Sequence, residues 1–316
     1  MNFNVFIYSV EKKKEWDEFV KNSKNSHFMF YRNYMDYHSD RFYDFSLMLY
    51  DEKNRLVALL PANLDERKLY SHQGLTFGGL LLSNKSTTEQ VYDMLLSIVE
   101  FLKIRDNVDS LIYKRVPDLY HTYPSQEDLY SLFLLEAKLI RRDVTVSIDL
   151  SNPIPYQEIR KRKIKKATKI GIEVSEENDL TDYWDLLTKV LKFNHDAIPV
   201  HSLSEIDFLR SSFPENIKCY VARLDGELLS GTIVYENKNI VHTQYLANNE
   251  KGRELGALDL VIDHLVRNIY KGKKYFDFGI STEKNGRFLN KGLIAQKEGF
   301  GARAFTHDFY EIFIND

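Results

Sequence analysis

The segment HTQYLANNEKGRELGALDLVIDHL has the spacing in this chain best suited to anion chemistry: a strand-like run, then Gly252 and Gly256, then a helical pattern. A strand that ends in a glycine loop and opens a helix presents backbone N–H groups at the positive end of the helix dipole, which suits a pyrophosphate. Glycines there let the backbone come close to a bulky anion. A glycine-assisted turn with no ligand satisfies the same spacing equally well. A P-loop is excluded, because no Gly-Lys-Ser/Thr follows. A dinucleotide fold is disfavoured, because the preceding strands form a hairpin meander rather than a βαβ unit. The basic run Arg160 to Lys169 reads as a solvated helix face with Ile159, Ile164 and Ala167 turned inward, the alternative being a helix that faces phosphate. Cys219, the only cysteine, lies in the strand-like KCYVARL, where a buried, inert thiol is expected rather than a nucleophile.

These residues need a scaffold, and the composition allows two domains with real cores in 316 residues. Hydrophobic residues make up 43% and charged residues 28%, the balance of a soluble globular chain. The 20 Tyr and 20 Phe suit strand-rich cores and ligand-stacking clefts, with core packing the ordinary use. Net charge is −3, from 43 basic and 46 acidic residues, so no global positive field holds a long nucleic acid. One thiol makes no internal disulfide, and no stretch approaches the apolar length of a membrane span. A cytoplasmic protein with no membrane partner is expected, with a homodimer left open.

The same order of elements reads twice along the chain. In the first half, helices at 11–21 and 31–38 precede strands at 44–50, 55–63 and about 67–71. The glycine loop QGLTFGG (73–79) leads to an amphipathic helix at 87–104, with Ser86 and Glu89 at capping-box spacing. A strand at 109–115, a helix near 125–136 and a strand at 138–150 complete it. In the second half, a helix at 155–169 and the short strand GIEVS precede helices at 181–194 and 204–212. The latter is opened by the capping box Ser202 and Glu205. A three-strand meander (KCYVARL, LLSGTIVYE, NIVHTQYLA) turns first at Asp225-Gly226. The second glycine loop, a helix at 257–270, the strand KKYFDFG, a helix near 287–298 and a strand at 302–314 follow. Two prolines in SNPIPYQ (151–157) mark the boundary, giving domains at 1–150 and 151–316, the last strand packing back toward the first domain. The fold class expected is α/β with mixed sheets, and a cleft between two such lobes is the default ligand site.

The order meander, glycine loop, helix, strand resembles the acyl-CoA-binding core of GNAT acyltransferases. KKYFDFGISTEKNGRFLNKGLIAQKEGFGAR resembles the C-terminal signature of the Fem-like tandem-GNAT group, with Asp277-Phe278-Gly279 and Lys297-Glu298-Gly299-Phe300-Gly301. FMFYRNYMDYHSDRFYD and YSHQGLTFGGLLL are similar to the first lobe of such proteins. Within the group, VHTQYLA, PVHSL and FGISTEKNGRFLN look most like N-acyltransferases acting on dTDP-linked 3-amino-3,6-dideoxyhexoses in surface-polysaccharide (O-antigen or capsule) pathways. The phosphate loop departs from the group's Gln/Arg-x-x-Gly-x-Gly/Ala, since Arg253, Glu254 and Leu255 separate the two glycines.

The resemblance implies two GNAT-like domains in tandem with an interdomain cleft, acyl-CoA as co-substrate, no metal, and a nucleotide-linked amino sugar as acceptor. It places the pantetheine arm along Tyr245, Leu246 and Ala247, where a backbone N–H polarises the thioester carbonyl. The pyrophosphate then meets Gly252, Arg253, Glu254, Leu255, Gly256 and Ala257. His72, Gly78, Gly79, Tyr31, Arg32, Gln244, Asn285 and Arg287 are the expected acceptor contacts. The attacking amine must lose a proton, and His201, His242, Asp277 and Glu283 are candidate acceptors. Glu283 and His201 are favoured, with Asp277 kept in the catalytic set although it could simply cap its loop. His242, which shares a strand face with Gln244 by alternation, reads as a hydrogen-bonded core histidine. The competing functions are a Fem-type aminoacyltransferase fed by charged tRNA and a catalytically silent tandem-GNAT binding module.

Overall fold

The computed structural model describes residues 2–105 and 108–314, in two compact units. Unit 1 runs to Asp143 and adds Glu283–Phe288 and the stretch from Thr306; unit 2 holds Val144–Thr282 and Leu289–Phe305. The division falls inside the strand Lys138–Asp149, upstream of the proline segment.

Unit 1 begins with β1 (Asn4–Ile7), α1 (Lys13–Asn22) and α2 (Arg32–Met35). It continues through β2 (Tyr43–Asp44), β3 (Leu47–Tyr50), β4 (Leu56–Leu60), β5 (Asn63–Asp65), β6 (Lys68–Tyr70) and β7 (Leu81–Leu82). Then come α3 (Thr88–Lys103), β8 (Ser110–Lys114), α4 (Glu127–Leu134) and the start of β9 (Lys138–Asp149). The apolar spacing of α3 buries Val91, Met94, Leu95, Ile98 and Leu102 in one core with Leu47, Leu49, Ala58 and Leu60 of the β1-β3-β4-β7 sheet. Its N-terminus is closed reciprocally by Thr87 and Gln90, one residue beyond the Ser86–Glu89 pair that spacing favoured. β6 and β8 run parallel, a rare geometry in a unit otherwise paired antiparallel among its described residues.

Unit 2 follows with α5 (Glu158–Lys169), β10 (Glu173–Glu177), α6 (Thr181–His195), α7 (Leu203–Ser212), β11 (Ile217–Leu224), β12 (Glu227–Glu236) and β13 (Ile240–Asn248). The remaining elements are α8 (Glu250–Leu255), α9 (Ala257–His264), β14 (Tyr275–Ile280), the small hairpin β15 (Thr282–Glu283) and β16 (Phe288–Leu289), α10 (Lys291–Glu298) and β17 (Arg303–Phe313). The hairpin residues Glu283–Phe288 count with unit 1, as does β17 from Thr306. The sheet order in unit 2 is β10-β11-β12-β13-β14-β9, antiparallel except where β13 meets β14. One face buries Val234, Val241, Phe276 and Phe278 with Leu258, Val261, Ile262 and Leu265. The buried pair Arg160–Asp259, 2.7 Å apart, ties α5 to α9. On α6, the Tyr183 ring lies against Gly231 of β12, where a Cβ would come within 2.8 Å of it.

The second glycine segment differs from the expected loop. Asn249 caps it by accepting from the Gly252 N–H at 2.7 Å, and residues 250–255 complete a short helix. Gly256 then turns the chain at φ 82°, and α9 begins at Ala257. A Cβ on Gly256 would stand 2.7 Å from the Lys163 carbonyl of α5, so its φ and the close approach both require glycine. Gly226, in the β11–β12 turn at φ 83°, has nothing within 4 Å of such a Cβ. Gly226→Ala should therefore cost only the left-handed penalty, about 1–2 kcal/mol, and Gly256→Ala roughly 2–5 kcal/mol once overlap with α5 is added. Urea midpoints of the two variants check this; equal losses would mean that α5 yields freely.

Candidate functional site

In unit 2 the parallel pair runs Ile240↔Tyr275, Val241↔Phe276 and His242↔Asp277, and the ladder stops there while both strands continue. Beyond this rung β13 carries a bulge at Gln244, since Val234 faces Thr243 while Ile233 faces Tyr245. The bulge interrupts the simple alternation that put His242 and Gln244 on one face. The result is a fork between two parallel strands with His242 and Asp277 at its crotch.

Asp277 is fully buried, yet its carboxyl is held well below the usual carboxylate range. Burial alone would raise it; the hydrogen bond and charge of His242, with the hydroxyls of Ser147 and Thr145, outweigh that. Both hydroxyls donate to Oδ1 at 2.6 Å, and His242 Nδ1 lies 2.6 Å from Oδ2. An ionised carboxylate only accepts, so Nδ1 carries a proton, and in the neutral ring Nε2 is the nitrogen that keeps a lone pair. His242 keeps 12% of its side chain in solvent, enough to pass a proton outward. Gly279, at φ 73°, lets β14 pass the ring: a Cβ there would stand 3.0 Å from His242 Cε1.

The wall of the fork on the α6 side is aromatic. Tyr245 meets Trp184 edge-on at 5.4 Å, and its hydroxyl is 2.6 Å from His201 Nδ1. Its carbonyl accepts from the Tyr183 hydroxyl at 3.1 Å and from Thr232 Oγ1 at 2.8 Å. His201 is thus buried against Tyr245 and holds the strand past the bulge. Leu246 is half-buried and Ala247 buried in the same run.

Three N–H groups of the glycine segment are engaged within the fold. Gly252 donates to Asn249 Oδ1, Arg253 to the Asn249 carbonyl at 2.9 Å, and Gly256 to the Gly252 carbonyl at 2.9 Å. A Cβ at Gly252 would stand 2.6 Å from the Leu229 carbonyl, so both glycines serve packing. Glu254 is exposed, Leu255 half-buried and Ala257 buried. Lys163 and Lys166 of α5 donate to the carbonyls of Arg253 and Glu254, closing the C-terminal end of α8. These three N–H groups are therefore not open to an anion, while the start of α9 at Ala257 carries no side-chain cap. Beside it opens a cavity of about 990 Å³ lined by Arg253, Lys189 and Lys192, with Asp182, Asp185 and Glu250 sharing the wall over Leu186 and Val190. A phosphate group there would meet cationic side chains rather than the backbone.

The first-unit candidates lie in packed positions. His72, Gly78 and Gly79 are buried, a Cβ at Gly78 would overlap the Ser71 carbonyl, and one at Gly79 would touch the Tyr113 ring at 3.0 Å. At both glycines the missing side chain lets a loop close on its own strands. Arg32 is buried over the Tyr8 ring at 3.9 Å and pairs with Asp36 and with Asp44 at 2.6 Å, so its guanidinium is structural; Tyr31 is half-buried beside it. Glu283, Asn285 and Arg287 are exposed on the β15–β16 hairpin, whose turn packs Gly286 on the Arg142 backbone. Asn285 Oδ1 accepts from Arg141 at 3.4 Å. Cys219 is buried and its thiol is pushed up to about 12 by burial, as befits an inert core residue.

Thr145 and Ser147 escaped the sequence reading, and Lys297 entered it only as part of a signature with no role assigned. Thr145 and Ser147 alternate with Val144, Val146 and Ile148, and a buried polar row of this kind on one strand face signals a buried charge to satisfy. Lys297 of α10 is 6% exposed and donates to the Gly279 and Ile280 carbonyls at 2.9 and 2.8 Å and to Ser281 Oγ at 3.0 Å. Burial brings its ammonium down to about 8, against the opposing pull of Asp277. It anchors the strand end just past the dyad.

Residues 157–286 match the family model described as an acetyltransferase (GNAT) domain. A search of curated proteins returned no match. Among solved structures the chain is similar to FemX, with a TM-score of 0.71 at 12% identity over 99% of this chain and 98% of that one. It is similar to the C-terminal DUF2156 domain of a putative lysylphosphatidylglycerol synthetase from Agrobacterium fabrum, at TM-score 0.61, 11% identity and coverages of 95% and 91%. A tandem GNAT protein from the clavulanic acid pathway gives TM-score 0.54 at 11% identity over 100% and 99%. The fold is α/β with two GNAT-like halves in tandem.

The tautomer assigned to His242 is directly observable. Nitrogen-15 NMR near pH 8 should find its Nδ1 protonated and its Nε2 bare, and Asp277→Asn should let the Nε2–H form appear. An Nε2–H signal for the unaltered protein would overturn the assignment.

Proposed function

We propose that this chain is an N-acyltransferase whose chemistry takes place in unit 2, where His242 and Asp277 close the β13–β14 fork. The observation that carries the reading is this imidazole–carboxylate pair, with a bare Nε2 at the point where two parallel strands part. An amine attacking an acyl carbonyl in the fork becomes an ammonium, and His242 Nε2 takes its proton directly or through one water. Asp277 holds the tautomer and stabilises the imidazolium, as a buried carboxylate does in hydrolytic triads. The attack forms the C–N bond; collapse of the tetrahedral intermediate then restores the carbonyl and breaks the bond to the leaving group, to which the imidazolium returns the proton. A backbone N–H of β13 near Tyr245, fixed by Tyr183, Thr232 and His201, polarises the carbonyl. Glu283 and His201 are secondary in this scheme: one is exposed on a hairpin, the other is engaged with Tyr245.

The donor we carry forward is acyl-CoA, its phosphates at Arg253, Lys189 and Lys192 rather than on the glycine N–H groups. The acceptor we carry forward is the amino group of a nucleotide-linked amino sugar, which rests on the resemblance of PVHSL and FGISTEKNGRFLN. A second donor, an aminoacyl ester on tRNA, is favoured by two observations. The glycine segment is closed as helix α8, and α5 exposes Lys161, Arg162, Lys165, Lys166 and Lys169.

Amide formation from acetyl-CoA with dTDP-amino sugars, and from aminoacyl-tRNA with nucleotide-linked peptidoglycan precursors, separates the donors. With whichever pair turns over, His242→Gln should lower kcat by roughly 10²–10⁴ with little change in KM, and Glu283→Gln should stay near the unaltered enzyme. A His242→Gln enzyme within threefold of normal kcat would remove the base from the mechanism. Turnover of neither pair would leave the chain a binding module.

A further inference from the structure

Unit 1 has a parallel fork of the same kind, and the chain fills it with its own loop. After the rung Tyr70↔Ile112, Ser71 N–H donates to the Ile112 carbonyl at 2.9 Å, and Lys114 N–H donates to Ser71 Oγ at 2.6 Å. Gly78 N–H then donates to the Lys114 carbonyl at 2.9 Å, so residues 71–79 leave the strand and return to it. Inside the loop the Lys114 ammonium donates to the His72 carbonyl at 2.8 Å and to the Leu75 carbonyl.

The loop is held by a histidine pair as well as by its buried Leu75 and Phe77. The rings of His38 and His72 stack at 5.2 Å and 12°, both residues 2% exposed, with Phe42 edge-on to each. His72 Nδ1 accepts the Gly74 N–H at 3.2 Å, and a Cβ at Gly74 would overlap the His38 ring. His72 itself sits at φ 81°, a left-handed conformation that costs a bulky side chain free energy. The stack therefore holds the loop in a backbone shape that the loop would not choose alone.

Its surroundings oppose positive charge. His72 faces His38, Lys114 of β8 and Arg32 of α2; His38 faces Arg41, with Asp40 nearby. Asp36 and Asp44 are paired to Arg32, and Arg141 of β9 adds a further cation toward Lys114. Burial, first, and these cations, second, hold both imidazoles below the ordinary histidine value, His72 well below it. A histidine whose folded pKa is depressed supports the fold fully above its unfolded value of 6.5, and that support is lost as pH falls from there toward the folded value. Lys114, brought down to about 7 by burial, exerts its own pH effect between 10.5 and 7, above the window of the histidines.

We propose that residues 71–79 form a pH-sensitive latch, in which protonation of the stacked His38–His72 pair releases the loop from the β6–β8 fork while the α3 core of unit 1 stays folded. The charged rings repel each other across the stack, and the strained turn at His72 relaxes once they part. What opens is a strand fork of the same parallel type as the one in unit 2, with the Lys114 amine inside.

Hydrogen exchange on the full chain at pH 7.5 and 5.5, corrected for intrinsic rates, tests the latch. Amides of 71–79 should lose protection by about tenfold or more relative to α3 and α9, since one unit of pKa difference is worth tenfold. The double variant His38→Phe, His72→Asn keeps a ring in the stack and an acceptor for Gly74, with a residue that tolerates positive φ. It should hold the loop at both pH values. Uniform loss across α3 and the loop, or loop loss that persists in the double variant, would overturn the proposal. NMR titration of the unaltered histidines decides independently of the variants: titration of both near 6.5 would equally overturn it.

Discussion

A full negative charge with no solvent, Asp277, sets the terms for unit 2. A carboxylate removed from water is strongly unfavourable unless donors replace the water. Here they come from neighbouring strands on either side: Thr145 and Ser147 on β9, His242 on β13. The requirement fixes residue types on β9, brings an imidazole to the point where the parallel ladder stops, and dictates which of its nitrogens carries the proton. Phe276 and Phe278 alternate with Asp277 and face the opposite layer, so one strand serves the apolar core and the polar site at once. Lys297 holds the next residues of the same strand by their carbonyls, so the carboxylate and the strand end after it are both anchored.

Each unit contains one parallel pair followed by divergence, and the two pairs have met opposite fates. In unit 1 the chain re-enters its own fork through Ser71 and Gly78 and satisfies the strand ends from within. In unit 2 the chain leaves β13 through a bulge and a capped helix, and the polar pair remains at the crotch. Backbone topology supplies the fork; only the residues that follow it decide between a filled slot and a reaction site. This is why the duplicated order of elements does not imply a duplicated activity.

The architecture was legible because periodicity and turn chemistry report the local backbone directly. The amphipathic run at 87–104, the Asp225-Gly226 hairpin and the Ser202–Glu205 cap all formed as read. Glycines were read less well, since their spacing says that a side chain is unwelcome without saying what excludes it. At Gly252 and Gly256 the excluding atoms are the Leu229 and Lys163 carbonyls, and at Gly78 that of Ser71. Partners far apart in sequence posed the same difficulty for side chains. Asp277 meets Thr145 and Ser147 across more than a hundred residues, so a capping role near its own loop looked as natural as a buried one. His242 looked like a core histidine because its burial was foreseeable and its partner was not.

The ring of Tyr183 sits against β12 only because position 231 has no side chain, and from there its hydroxyl reaches the Tyr245 carbonyl. The orientation of β13 past its bulge therefore depends on an absence one strand away. Positions 183 and 231 are thus coupled in what they tolerate. A methyl at 231 displaces the ring, and a smaller residue at 183 leaves the carbonyl one donor short. Thr232 would then be the carbonyl's remaining side-chain donor, which makes the glycine a constraint on the aromatic and the aromatic a constraint on how firmly the fork is held.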